Sequence, residues 1–192
     1  MAYLVPMSSP DLTDAERQAV LSVLNTPHLS MGKEIDQFEE AFRQYCQSEY
    51  AVGVNSGTAG LHLCIRAVDV HPGDTVLTTP FSFVASTNVI LFEQAVPVFV
   101  DVDPRTGNIN PDLVEQAALD LVMGGKAAEK WLPRRGRGPG GSLKALLAVD
   151  VFGQPADYDR LSEISRRHNL ALIEDSCEAL GAEYKGRKAG ML

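Results

Sequence analysis

Short apolar runs alternate with helix-length segments from residue 50 to residue 173, and no other feature restricts the fold of this chain as tightly. The runs cover 50–54, 75–79, 96–102, 145–152 and 170–173. Between them, helices are expected from Thr58, from about Ser82, from Pro111 and over 158–167, where Leu161 and Ile164 mark the buried face. Parallel neighbours cannot be joined by a tight turn and need a crossover, so strands separated by helices read as βαβ units. The expected fold is therefore α/β, with a mostly parallel central sheet flanked by helices on both faces.

Ahead of this alternation, Leu12, Ala15, Ala19, Val20 and Val23 recur at helical spacing, and Ile35, Phe38, Phe42 and Tyr45 do so again after a break at Thr26-Pro27. Two amphipathic helices are expected to open the chain. The organisation that follows is an amino-terminal arm with the first helix over 1–30 and one larger unit over 31–192. With 192 residues, 45% of them hydrophobic, the chain suffices for one α/β domain or for part of a larger one. The stretch Arg134-Arg135-Gly136-Arg137-Gly138-Pro139-Gly140-Gly141 has no apolar periodicity and is expected to be a solvated connection.

A formal net charge of -8 argues against general attraction to nucleic-acid phosphate, and the single short Arg/Gly stretch does not reverse that. Cys46, Cys64 and Cys177 have neither metal-ligand spacing nor an even disulfide framework, so reduced thiols and no metal site are expected. The first residues lack a basic head followed by an apolar core, and no apolar run approaches the ~20 residues that span a bilayer. A soluble, cytoplasmic protein is the expectation, either a small-molecule enzyme or a protein-binding module.

Three stretches carry chemistry. In Asn55-Ser56-Gly57-Thr58-Ala59-Gly60-Leu61, a strand passes through a tight polar turn into a helix. The free N–H groups and dipole of such a helix start favour a phosphate. The same turn serves equally as an N-cap with nothing bound. In Leu170-Ala171-Leu172-Ile173-Glu174-Asp175, a buried strand ends in acids. Ligands of open α/β sheets lie outside the carboxyl ends of strands, where Asp175 can pair with a protonated pyridine nitrogen or merely cap the next turn. Thr79-Pro80-Phe81-Ser82-Phe83-Val84-Ala85-Ser86 offers two aromatic rings at another strand-to-helix switch, as stacking surfaces or as core. The dinucleotide pattern GxGxxG is absent.

Together with Val100-Asp101-Val102-Asp103, Asp150-Val151-Phe152-Gly153-Gln154 and Ser176-Cys177-Glu178-Ala179-Leu180-Gly181, these stretches resemble the DegT/StrS-type sugar aminotransferases in order and spacing, from about Leu29 onward. The resemblance implies the large domain of a fold-type I, pyridoxal 5'-phosphate (PLP) dependent aminotransferase, usually a homodimer. It implies amino transfer, with glutamate as donor, to a nucleotide-linked keto-sugar. On this basis Gly57, Thr58 and Ala59 match the phosphate-binding turn, Phe83 the ring that stacks on the cofactor, and Asp175 the carboxylate at its ring nitrogen. Glu178 stands where the family often has Gln or His, which is a departure. Leu29-Ser30-Met31-Gly32-Lys33 resembles a segment near the sugar nucleotide.

In relatives, the segment resembling Tyr184-Lys185-Gly186-Arg187-Lys188-Ala189-Gly190, a surface hairpin, precedes the lysine that carries the cofactor. That lysine and a small carboxyl-terminal domain are expected beyond Leu192, so the 192 residues hold no catalytic lysine and are expected to be inactive alone. Two other readings stay open: a non-catalytic module binding PLP weakly, and a sugar 3-dehydratase, in which histidine replaces that lysine.

Overall fold

The computed structural model describes residues 9–133 and 140–192; most of the Arg/Gly-rich connection and the first residues of the arm lie outside the described residues. Helix α1 (Asp14–Leu24) starts at a capping box in which Thr13 and Glu16 satisfy each other's end groups, and α2 (Lys33–Cys46) follows the break at Pro27. Both helices form where their periodicity predicts. Their apolar stripes are nevertheless largely exposed: α1 buries no residue, and α2 buries only Cys46.

The remaining elements are α3 (Gly57–Ala67), β1 (Thr75–Thr78), α4 (Ala85–Phe92), β2 (Val96–Phe99), α5 (Pro111–Met123), α6 (Gly125–Glu129), β3 (Leu143–Val149), α7 (Tyr158–His168), β4 (Ala171–Asp175), β5 (Glu183–Tyr184) and β6 (Arg187–Lys188). Pro111 takes the first position of α5, where a missing N–H costs nothing, behind an Asn110 cap. The short α6 was not foreseen from periodicity. It is tied to α5 by Trp131, whose indole donates to Asp120 at 2.8 Å. The pair β5 and β6 is the expected hairpin, turning at Lys185 and Gly186, which both adopt positive φ as a tight two-residue turn requires.

Strands β1 to β4 make one all-parallel sheet in the order β2-β1-β3-β4. Alternate strand residues enter two separate cores. Leu77, Val98, Leu146 and Ala148 pack with Val114, Ala117, Leu161 and Ile164 of α5 and α7. Val76, Ala145, Leu147 and Ile173 pack with Leu61, Ile65, Val89 and Ile90 of α3 and α4. Helices therefore cover both faces, and each fully buried Leu or Val of the strands contributes on the order of 1.5–3 kcal/mol.

Beyond shifts of one to three residues at the ends of β1, β3 and β4, three segments depart from the sequence reading. The run 50–54 forms no strand: Tyr50 and Val52 are both 76% exposed, and Gly53 N–H donates to Glu39 Oε1 at 2.7 Å. The run 96–102 leaves the sheet after Phe99, and Val102 bridges instead to Ile109 in antiparallel sense. Helix α4 begins at Ala85, three residues after Ser82, because the residues after Pro80 first turn out of β1.

Candidate active site

The chain leaves β1 toward β2 at one edge, then crosses back past β1 to β3 and on to β4 at the other edge. Helices α4 and α7 accordingly lie on opposite faces, as a common hand of crossover requires. The connections that leave β1 and β3 diverge and open a crevice at their carboxyl ends, the place where open α/β sheets bind ligands. A cavity of about 520 Å³ occupies that position. It is lined by Gly57, Thr58 and Leu61 of α3, by residues 80–83 after β1 with Ala85 and Ser86 of α4, by Val149, Val151 and Phe152 at the end of β3, and by Asp175, Cys177 and Glu178 at the end of β4.

Five of the six residues singled out from sequence, Gly57, Thr58, Phe83, Asp175 and Glu178, line this one cavity; Ala59 does not. The amides of Gly57 and Thr58 belong to the first turn of α3, ahead of any intrahelical bond. The Ala59 amide donates to the capping Ser56 Oγ at 3.1 Å, which takes it out of play for a ligand. A side chain at Gly57 would crowd the crevice wall: an added Cβ would stand 3.0 Å from Cys177 Sγ, which would have to give by a few tenths of an ångström. Phe83 is 74% exposed on the rim, so its ring is presented to the cavity and to solvent and is not spent in the core.

Asp175 is buried at the cavity wall with both oxygens engaged. Oδ2 accepts from Ser86 Oγ at 2.9 Å and Oδ1 accepts from the Cys177 amide at 3.3 Å. Ser86 in turn stands 2.9 Å from Ser82 Oγ. Glu178 Oε2 accepts from the Phe152 amide at 2.9 Å, and Phe152, held at φ 53°, packs edge-on against Phe81 with ring centres 5.8 Å apart. Glu178 therefore fixes the turn after β3. Behind the wall, Asp150 is fully buried and accepts from Ala156 N, Tyr158 OH and Ser176 Oγ at 2.7–3.0 Å. Asn108, reaching over from before α5, holds the same turn through Val151 N and the carbonyls of Gln154 and Pro155.

Ser86, Cys177 and Asp150 were not singled out from sequence. Ser82 precedes α4 and reaches Ser86 across the turn that enters the helix, so the spacing of the two serines gives no helical-face signal. Nothing local indicates that an aspartate 89 residues further on meets Ser86. No lysine is among the residues lining the cavity, and among the described residues no cluster of His, Cys, Asp and Glu could hold a metal ion. No described helix is long and apolar enough to cross a membrane.

The sequence profile of the DegT/DnrJ/EryC1/StrS aminotransferase family matches residues 10–192. The chain belongs to this family. GDP-perosamine synthase of Caulobacter vibrioides is 37% identical over 189 residues, covering 98% of this chain and 45% of that protein. The aminotransferase of Psychrobacter cryohalolentis superposes with a TM-score of 0.78 at 34% identity, over 96% of this chain and 42% of its own. A Streptococcus pneumoniae protein named as a sugar aminotransferase, solved in a PLP form, gives a TM-score of 0.80 at 28% identity over 98% of this chain and 46% of its own. The DegT-family chain thus shares the parallel sheet flanked by helices of solved aminotransferases and spans less than half the length of these relatives.

The crevice also sets the chemistry of Cys177 in this family member. Partial desolvation at the crevice wall, the hydrogen bond to Asp175 and the nearby carboxylates push its thiol up to about 11, although the residue keeps exposed surface. The thiolate is the reactive form, so at pH 8 Cys177 is expected to react with iodoacetamide more than about tenfold more slowly than a free cysteine. A time course read by peptide mass mapping checks this; a free-cysteine rate at Cys177 contradicts it.

Proposed function

We propose that this chain is the cofactor-binding part of a PLP-dependent aminotransferase that moves an amino group from an amino acid, glutamate by preference, to a ketone on a nucleotide-linked sugar. Residues 31–192 form the binding unit, and the active assembly is a homodimer. The observation that carries this reading is the crevice itself, where a helix start, an exposed aromatic ring and a buried, doubly hydrogen-bonded carboxylate line one cavity. That donor set fits PLP group by group. PLP, when bound, supplies an electron sink through its pyridinium ring.

The residues of the chain do the rest. Gly57 and Thr58 bind the phosphate through first-turn amides, aided by the positive end of α3. Phe83 would offer its exposed ring as a surface on which the cofactor ring can stack. Asp175 holds a proton on the ring nitrogen, which keeps positive charge where electron density must be drawn. Glu178 works one step away, by fixing the turn that carries Phe152. The names of GDP-perosamine synthase and of the S. pneumoniae protein support sugars as substrates.

The test is to incubate the full-length protein with PLP, glutamate and a panel of nucleotide-linked 4-keto and 3-keto sugars, following 2-oxoglutarate and the amino sugar by mass spectrometry. Stoichiometric formation of both is expected. Release of water from the sugar with no amino sugar would point to a dehydratase instead, and no PLP binding at all would overturn the reading.

A further inference from the structure

Resting on the reading of the crevice as a PLP site, we infer that Ser86 is a positioning residue that orients the Asp175 carboxylate for the ring nitrogen, in a directed chain running Ser82 to Ser86 to Asp175. Ser86 is 1% exposed and lies in the first turn of α4, with its hydroxyl 2.9 Å from Asp175 Oδ2. A serine hydroxyl has one proton to give. With that proton committed to the carboxylate, the 2.9 Å contact to Ser82 runs the other way, Ser82 donating to Ser86 in preference to the Phe83 carbonyl, which its hydroxyl meets at the longer distance of 3.3 Å. The order of donation is thus set by the acceptor-only carboxylate at its end.

The Ser86 hydroxyl and the Cys177 amide anchor Asp175 on different oxygens, with the weakly donating Cys177 thiol beside them. Two anchors fix the plane of a carboxylate where one leaves it free to swing. The Ser86 bond is the shorter of the two and charge-assisted. Each oxygen keeps an unused lone pair, so the carboxylate can accept from a ring N–H without giving up either anchor.

The experiment is made on the full-length protein, with PLP itself as the probe. Dissociation constants are measured by equilibrium dialysis, and the absorption band of bound cofactor is recorded for wild type, Ser86→Ala, Ser86→Cys and Ser86→Thr at matched melting temperature. Ala and Cys are expected to weaken PLP about fivefold to twentyfold and to shift the band, Cys filling the space with a poor donor; Thr, which keeps the hydroxyl, is expected to restore both. Wild-type affinity and an unshifted band in both Ala and Cys, with wild type binding PLP normally, would overturn the role of Ser86 and leave the site reading standing. Failure of the wild type to bind PLP would remove the site reading, and the inference with it.

Discussion

Replacing Asp175 by Asn in the full-length protein is expected to lower turnover by about 100-fold to 1000-fold, the usual effect of removing one preorganised electrostatic group, while leaving the fold in place. The fold survives because Asn can meet both anchors. Its carbonyl oxygen accepts from the Cys177 amide, and its NH2 donates to Ser86 Oγ, whose hydroxyl then turns toward Ser82. The amide is neutral and cannot hold a proton on the ring nitrogen. Steady-state kinetics with circular dichroism on the same samples checks both halves. Turnover within a few-fold of wild type would remove Asp175 from the mechanism proposed.

Asp150→Ala is expected to destabilise the protein by about 2–4 kcal/mol, because the change leaves the Ala156 N–H and the Tyr158 hydroxyl buried without an acceptor, together with a void, while Ser176 Oγ keeps Glu174 Oε1 at 2.8 Å. The side chain is completely buried, and its three donors come from the turn after β3, from α7 and from the start of the segment after β4. Burial and the neighbouring carboxylates already push the Tyr158 hydroxyl up, so that group stays neutral and remains a donor in search of a partner. One compensation limits the loss. Burial raises the Glu174 carboxyl and Asp150 adds to that, so removing Asp150 eases the ionisation of Glu174. Urea unfolding followed by fluorescence checks the prediction, and a loss under about 1 kcal/mol would contradict the buried network.

The two acids that carry these predictions were unequally legible in the sequence. Asp175 ends an apolar run that reads as a parallel strand, and a polar residue at that end is where a ligand of an α/β sheet is met. Asp150 lies within the run 145–152 and in the structure directly follows β3, yet its carboxylate turns into the protein toward Tyr158 and Ser176 and serves the fold. The end of a strand gives both residues the same local signal, and only the packing of α7 and β4 separates their roles. Glu178 illustrates the same limit, since its departure from the family pattern was visible, but its bond to the Phe152 amide was not.

Strand pairing divides along the same line. Periodicity picked out 75–79, 145–152 and 170–173, which became β1, β3 and β4 with small shifts at their ends. It picked out 50–54 with equal strength, and that segment stays out of the sheet with Val52 exposed. An apolar run states that a segment can be buried in a ladder. Whether a neighbour lies alongside depends on chain elements distant in sequence.

By itself, the sequence determined the α/β class, the alternation of strand and helix, a helix start at Thr58, one residue from the observed Gly57, and the candidate acid at Asp175, because each rests on spacing or on chemistry within a few residues. The tertiary structure alone decided the order β2-β1-β3-β4, the position of the crevice between β1 and β3, and the meeting of Ser86 with Asp175. Those features arise from crossover connections that bring distant segments together, and no local pattern encodes a contact between residues 89 positions apart.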